Sequence, residues 1–140
     1  MAIGNEPKIE RNEKLAYELL CADDEKNNQM ILERVLGPMY SSVKVVASGD
    51  ILLAEIQATP SCACVVSDNN MPGMKGIEIL ETLRKEGNHV PFVLWSGDGD
   101  SDSTLVSRVL ALGGIFLGKP CPIADLRSTV KQAIEAKENH

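Results

Sequence analysis

Five polar or charged side chains follow short apolar segments, and together they could act on a phosphoryl group. They are Asp23, Asp24, Asp68, Ser96 and Lys119. Three carboxylates brought close together repel one another, so they need either protonation or a cation to stabilise them. The candidate ligands are hard oxygen atoms without a histidine, and this donor set favours Mg²⁺ over zinc or iron. A carboxylate beside Mg²⁺, an ammonium and a hydroxyl is suited to nucleophilic phosphoryl transfer.

The spacing of the acids suggests different roles for them. Asp68 stands alone after its segment and is the expected nucleophile, whereas the adjacent Asp23 and Asp24 are better placed to hold the cation. We expect Lys119 to pair with one phosphoryl oxygen and Ser96 to donate a hydrogen bond to another. Singly, acids and serines often cap helices, and lysines are commonly solvated. A lysine does not favour a helix N-terminus, so five independent structural roles are the weaker explanation.

The apolar segments before these residues have the character of strands in a parallel sheet. Residues 62–66 are apolar at every position, as expected for a strand that is covered on both faces. We predict strands at residues 15–22, 43–47, 62–66, 90–95 and 115–117. We predict helices at residues 28–36, 50–57, 76–85 and 101–112, and from residue 122 into the charged C-terminus. Asn27 or Asn28 is the expected cap of the first helix.

Five strands that alternate with five helices predict an α/β fold with an open parallel sheet and helices on both faces. The number of strands fits the flavodoxin-like, doubly wound order 2-1-3-4-5, which reverses direction between strands one and three. Parallel strands end at one edge of the sheet. The five candidate residues should therefore meet beside this switch point, where such sheets bind ligands.

Length and charge restrict the class of protein. The chain has 140 residues, with 14 Lys and Arg against 20 Asp and Glu and a net charge of −6. This composition indicates one globular domain, at residues 15–137, between a polar tail at 1–14 and a short tail at 138–140. An acidic chain is a poor direct partner for nucleic acid, and no apolar run is long enough to span a membrane.

The four cysteines are expected to be structural thiols in a reducing cytoplasm rather than a disulfide framework. Cys62 and Cys64 alternate along one predicted strand, which would place both on the same face, too far apart for a disulfide. We therefore expect a cytoplasmic protein that does not depend on disulfides.

Four segments resemble the receiver domain of two-component response regulators, the family typified by the bacterial chemotaxis regulator. They are residues 19–25, 68–76, 95–97 and 119–120. The second segment, with the sequence Asp-Asn-Asn-Met-Pro-Gly-Met-Lys-Gly, is the most specific of the four. The similarity extends over about residues 15–134.

This resemblance implies that a histidine kinase or phosphotransfer protein donates a phosphoryl group from phosphohistidine to Asp68. It also implies that the domain catalyses its own phosphorylation and dephosphorylation and does not turn over a separate substrate. By the same resemblance, Asp24, Asp68 and the backbone carbonyl of Asn70 would ligate Mg²⁺, and Asp23 would reach the ion through water.

The resemblance further implies a conformational switch. Ser96 would move toward the phosphoryl group, and Phe116, three residues before Lys119, would turn inward to fill the vacated space. A downstream protein would read the change on the last two helices and the fifth strand. Asn70 and Asp98 resemble positions that tune the lifetime of the aspartyl phosphate.

Three other interpretations share part of this pattern. A flavin-binding domain needs a glycine- and hydroxyl-rich phosphate loop after its first strand, where residues 23–25 are acidic and would repel phosphate. An aspartyl phosphatase would carry a second acid two residues after its nucleophile, where this chain has Asn70. A receiver-like module that binds partners without phosphorylation is the third. The sequence does not identify the kinase, the stimulus, the output partner or the oligomeric state.

Overall fold

Each predicted strand is followed by its predicted helix in the computed structural model, which describes residues 14–98 and 103–139. The strands are β1 (Leu15–Ala22), β2 (Tyr40–Val46), β3 (Cys62–Ser67), β4 (Phe92–Ser96) and β5 (Ile115–Gly118). The helices are α1 (Lys26–Leu36), α2 (Gly49–Ala58), α3 (Gly76–Lys85), α4 (Ser103–Ala111) and α5 (Ile123–Glu138). Within the described ranges, every helix is too short or too polar to cross a bilayer.

All neighbouring strands are parallel, and they lie in the order β2-β1-β3-β4-β5. The predicted flavodoxin-like order is therefore confirmed. Because β1 and β3 are adjacent at the centre, the residues after these strands lie side by side at the carboxyl edge of the sheet.

Two apolar layers hold the sheet between its helices. Val65 and Leu94 face α2, α3 and α4, whereas Val66 and Val93 face α1 and α5, and all four are fully buried. This division follows from the alternation of side chains along a strand. Burying a side chain of this kind contributes roughly 1.5–3 kcal/mol, so the two layers are the main source of stability for the edge that bears the site.

The N-terminus of α3 lies against the central strands because residue 76 has no side chain. A Cβ at Gly76 would lie 2.4 Å from the backbone oxygen of Asp68 and 2.6 Å from Cδ1 of Leu94. The Asn69 carbonyl accepts a hydrogen bond from the Gly76 N–H at 3.0 Å, and its side-chain Oδ1 accepts one from the Ile77 N–H at 3.0 Å. The segment after Asp68 is thus fixed at both ends.

Several element boundaries differ from the predictions, most clearly at the starts of β2, α1 and β4, the last of which begins at Phe92 where residue 90 was predicted. Strand β2 begins at Tyr40, whose ring is buried, although its next two residues are exposed serines without the β-branched character that marked the predicted strand. Helix α1 begins at Lys26, with Glu25 in the N-cap position, so the expected cap by Asn27 or Asn28 is wrong. The predicted start of α4 at Ser101, residues 1–13 of the predicted tail and His140 lie outside the described residues.

The cysteines are free thiols, but two of them face opposite sides of the sheet. Glu18 pairs with Cys62 and Leu19 with Cys64, so β3 carries one extra residue at this point. This bulge turns Cys62 toward the α2–α3–α4 side while Cys64 faces α1 and α5, and the prediction of a shared face is wrong. Burial raises the pKa of Cys21 to about 12 and that of Cys62 to about 11, which suits unreactive structural thiols.

Replacement of Gly76 by alanine should destabilise the fold, because the new methyl group would overlap the backbone of the strand segment that ends in Asp68. We expect Gly76→Ala to lower the free energy of unfolding by about 1–3 kcal/mol in urea denaturation. Gly118→Ala is the matched control, since a Cβ there meets nothing within 4 Å. Equal stability of the two variants would contradict the tight approach of α3 to the sheet.

Candidate functional site

Three carboxylates meet at the carboxyl edge of the sheet, as the topology predicts. One oxygen from each of Asp23, Asp24 and Asp68 lies within 4.8 Å of the others. Asp23 is fully buried, Asp68 is partly buried and Asp24 is exposed, so the group extends from the interior to the surface. At such distances the negative charges repel strongly unless positive charge lies among them.

Backbone hydrogen bonds place these residues by extending the sheet one step beyond its strands. The Asp23 N–H donates to Val46 O at 3.1 Å, and the Asp68 N–H donates to Ala22 O at 2.9 Å. On the other side of the site, the N–H of Lys119 donates to Ser96 O at 3.0 Å. The side chains therefore begin from fixed backbone positions at adjoining strand ends.

Lys119 supplies positive charge directly to two of the carboxylates. Its Nζ lies 2.6 Å from Oδ2 of Asp23 and 3.4 Å from Oδ1 of Asp68. The lysine side chain is only 16% exposed, so solvent screens these contacts less than it would on an open surface. The Lys119-Pro120 peptide bond is cis. The predicted approach of Lys119 to the acidic residues is present in the structure.

The Asp23 carboxylate also accepts hydrogen bonds from residues that follow it closely in the chain. Its Oδ1 accepts hydrogen bonds from the Glu25 N–H at 2.9 Å and from Nδ2 of Asn28 at 3.4 Å. The sequence pattern marks Asn28 only as a possible helix cap and does not predict this contact. Its place in the first turn of α1, close after the acidic pair, is the signal that could have indicated it. Asp23 is thus a buried, well-partnered carboxylate, whereas Asp68 retains a more open face.

The electrostatic environment of the Asp68 carboxyl differs from that of Asp23. Burial raises the pKa of Asp68, the charge of Lys119 acts in the opposite direction, and the nearby charge of Asp23 adds to the rise. The backbone N–H of Asn69 also favours the ionised form. Asp68 is therefore an incompletely satisfied carboxylate, which is a suitable condition for a nucleophile.

Ser96 and Phe116 lie on neighbouring strands at the side of the sheet that faces α2, α3 and α4. Leu94 of β4 pairs with Phe116 of β5, and Ser96 pairs with Gly118. The Ser96 hydroxyl is buried and accepts a hydrogen bond from the Asp98 N–H at 3.2 Å. Phe116 is half-buried and packs against the apolar layer on this side. The two residues are therefore near neighbours across the β4–β5 pair.

The exposed rim of the site carries a further contact. The side-chain amide of Asn70 donates a hydrogen bond to the Asp98 carboxylate, so the loops after β3 and β4 meet here. The family resemblance predicts that both residues affect the aspartyl phosphate, but it does not predict the hydrogen bond between them. Asn70 and Asp98 lie outside the cluster formed by the carboxylates of the three aspartates.

The ring of Trp95 lies beside Lys119, a contact that sequence analysis did not predict. The ammonium is 4.6 Å from the ring centroid, within the range of a cation–π interaction. The position of Trp95 immediately before Ser96 gave no indication of this contact, because strand alternation determines the face but not the rotamer.

The residues present fit a magnesium ion. Three carboxylates face a single neighbouring ammonium, which leaves an excess of negative charge that a divalent cation would balance. The oxygens are close enough together to share one ion, and hard oxygen donors are those that Mg²⁺ prefers. The buried Asp23 is already bound to Lys119, so the more open Asp24 and Asp68 are the better direct ligands.

Comparison with known proteins agrees with this geometry. The family described as response regulator receiver domain matches residues 19–131. The transcriptional regulatory protein FixJ of Bradyrhizobium diazoefficiens is 35% identical over 79 residues, which are 56% of this chain and 38% of that protein. The hydrogenase transcriptional regulatory protein HoxA of Cupriavidus necator is 30% identical over 119 residues, which are 85% of this chain and 24% of that protein. The chain thus spans less than half the length of these two relatives.

Solved structures show the same fold. A response regulator receiver domain protein from Clostridium thermocellum is 25% identical with a TM-score of 0.76, and the match covers 87% of this chain and 97% of that one. The receiver domain of Francisella response regulator 1452 is also 25% identical with a TM-score of 0.76, over 86% of this chain and 98% of that one. Since the family match spans most of the sequence and the fold agrees with it, the chain belongs to the response regulator receiver domain family.

Proposed function

We propose that Asp68 accepts a phosphoryl group from the phosphohistidine of a histidine kinase or phosphotransfer protein. The observation that supports this function best is the meeting of Asp23, Asp24 and Asp68 around the ammonium of Lys119. A structural ion pair would need one acid and one base. An excess of acids at the carboxyl edge of a parallel sheet fits a site that binds a cation and a phosphoryl group.

In the proposed reaction, a carboxylate oxygen of Asp68 attacks phosphorus, an O–P bond forms, and the N–P bond to the donor histidine breaks. The freed imidazole nitrogen takes a proton from solvent. Lys119, now 3.4 Å from Oδ1 of Asp68, would pair with a phosphoryl oxygen, and the hydroxyl of Ser96 would donate to another. Self-dephosphorylation would follow when water attacks the same phosphorus, the O–P bond to Asp68 breaks, and inorganic phosphate leaves as the carboxylate is restored.

We propose Asp24, Asp68 and the backbone carbonyl of Asn70 as the ligands of Mg²⁺, with Asp23 reaching it through water. When bound, the ion would neutralise negative charge that develops on the phosphoryl oxygens. The close approach of the three carboxylates supports the roles of the aspartates, and the carbonyl of Asn70 is proposed from the family resemblance. The protein's own contribution is to hold the carboxylates close together and to keep Lys119 in contact with Asp68.

We propose that phosphorylation is transmitted by Ser96 and Phe116 to a surface formed by α4, β5 and α5. Their neighbouring positions on β4 and β5 support a coupled movement. Strand β5 is an edge strand, and Leu110 on α4 is 60% exposed, so this side offers a downstream protein both backbone and apolar contacts. The acidic charge of the chain favours a protein over nucleic acid as the direct target.

We further propose that residues 15–137 are the receiver unit of a cytoplasmic signalling protein. A receiver-like module that binds partners without being phosphorylated is the alternative. The intact set of Asp23, Asp24, Asp68, Ser96 and Lys119 favours the phosphoacceptor, because a pure binding surface does not require crowded carboxylates.

Phosphorylation should be detectable with a small donor. We expect incubation with acetyl phosphate and Mg²⁺ to add one phosphoryl group, measured by intact mass, and Asp68→Asn to abolish it because the nucleophilic oxygen is lost. Asp125→Asn, which removes an exposed acid from the first turn of α5, is the matched control and should be labelled like the wild type. An unlabelled wild type, or equal labelling of Asp68→Asn, would overturn the assignment.

Magnesium binding should depend on Asp24. The chain has one tryptophan, and Trp95 contacts Lys119, so we expect its fluorescence to report on Mg²⁺ in the site. Asp24→Asn should weaken the Mg²⁺ affinity by about tenfold or more, because a charged ligand becomes neutral. Glu33→Gln makes the same charge change at an exposed position on α1, outside the carboxylate cluster, and should leave the affinity unchanged. The same affinity in Asp24→Asn and the wild type would exclude Asp24 as a ligand.

A further inference from the structure

Lys119 has three N–H groups, and the structure gives each of them a neighbour. Two neighbours are carboxylates, Asp23 at 2.6 Å and Asp68 at 3.4 Å. The third is the face of the Trp95 ring, whose centroid is 4.6 Å from Nζ. The two ion pairs are unequal, so by themselves they would draw the ammonium toward the fully buried Asp23 and away from Asp68. The Trp95 ring contacts the ammonium from a third direction.

The indole is poorly explained by packing alone. Trp95 is 4% exposed, and its Nε1 is the one buried side-chain nitrogen or oxygen within the described residues that has no hydrogen-bond partner. A buried N–H without a partner is destabilising, and an aliphatic side chain would fill a strand position without that cost. Since the N–H makes no bond, the useful part of Trp95 is the π face that it presents to Lys119.

We propose that Trp95 is a positioning residue that holds the Lys119 ammonium within reach of Asp68 during phosphoryl transfer. This inference rests on the proposed function, because it concerns the rate at which Asp68 takes the phosphoryl group. When the phosphoryl group arrives, Lys119 has to loosen its contact with Asp68 and turn to a phosphoryl oxygen. A π face tolerates this movement, since the attraction is to the whole ring and not to a single acceptor atom.

Two substitutions distinguish the effect of the aromatic face of Trp95 from that of its indole N–H. Trp95→Leu removes the aromatic face, whereas Trp95→Phe keeps a smaller aromatic face and removes the five-membered ring of the indole with its N–H. Val93→Ala is the packing control, since Val93 is fully buried on the same face of β4, two residues before Trp95, and is not among the contacts of Lys119. The measurement is the initial rate of labelling by acetyl phosphate and Mg²⁺, followed by intact mass.

We expect Trp95→Leu to slow labelling by about three- to thirtyfold, the range set by a mostly desolvated cation–π contact. Trp95→Phe should fall between Trp95→Leu and the wild type, and Val93→Ala should be labelled at the wild-type rate. In a Lys119→Ala background, Trp95→Leu should have no further effect, because a residue that acts through Lys119 has nothing left to position.

Several results would overturn the inference. If the wild type is labelled and Trp95→Leu is labelled at the same rate, the inference about Trp95 is wrong and the proposed function stands. Equal slowing by Trp95→Leu and Val93→Ala, or the same slowing by Trp95→Leu with and without Lys119, would reduce Trp95 to a packing role. A wild type that takes no label would overturn the proposed function and this inference together.

If Trp95→Leu does not fold, the wild-type protein still provides the test by NMR. The ε-methylene protons of Lys119, assigned by their loss in Lys119→Arg, should resonate upfield of those of the other lysines because of the indole ring current. Trp95→Phe should shift them without returning them to ordinary lysine positions. Ordinary positions in the folded wild type would show that the ring does not hold the ammonium.

Discussion

Repulsion among three carboxylates is the constraint around which this edge of the sheet is built. Because all five strands are parallel, their carboxyl ends meet at one edge, and the residues that follow β1 and β3 cannot avoid one another. The protein offsets this repulsion more fully at Asp23 than at Asp68. Asp23 receives an ammonium, a backbone N–H and the amide of Asn28, whereas Asp68 receives a longer contact from Lys119 and less compensation. The difference leaves less compensated charge on Asp68, the phosphoryl acceptor that we propose.

Packing in the rest of the fold offsets the destabilising repulsion among these carboxylates. Two apolar layers clamp the sheet, and the closest approach between helix and site is at Gly76, where only a hydrogen atom fits against the Asp68 backbone. Precise placement of the carboxylates therefore depends on packing several residues away, as expected when like charges are forced together. The same packing fixes β4, which presents Trp95 to one side of the sheet and Ser96 to the other.

Much of this arrangement could be predicted from sequence because it depends on periodicity and topology. The apolar strand at residues 62–66, followed by Asp68, indicated a central parallel strand with a polar residue at its end. The order of strands then placed Lys119 near the acids without any knowledge of distances. The bulge at residues 62–64 and the contact of Trp95 with Lys119 could not be predicted, and only the position of Asn28 close after the acidic pair hints at its contact with Asp23. Each depends on a register or rotamer that is set by three-dimensional neighbours and leaves no repeat in the sequence.

The most direct test of this electrostatic account is the pH dependence of stability in Asp68→Asn, measured by urea denaturation in the presence of EDTA. A carboxyl whose pKa is raised in the folded state favours folding below the unfolded pKa of about 3.9, and this contribution is lost as the pH rises through the folded pKa. Asparagine does not ionise, so the account predicts that Asp68→Asn is more stable than the wild type at about pH 7 and that its advantage shrinks as the pH falls toward about 4. Equal or lower stability of Asp68→Asn at about pH 7 would contradict the claim that crowded carboxylates define this site.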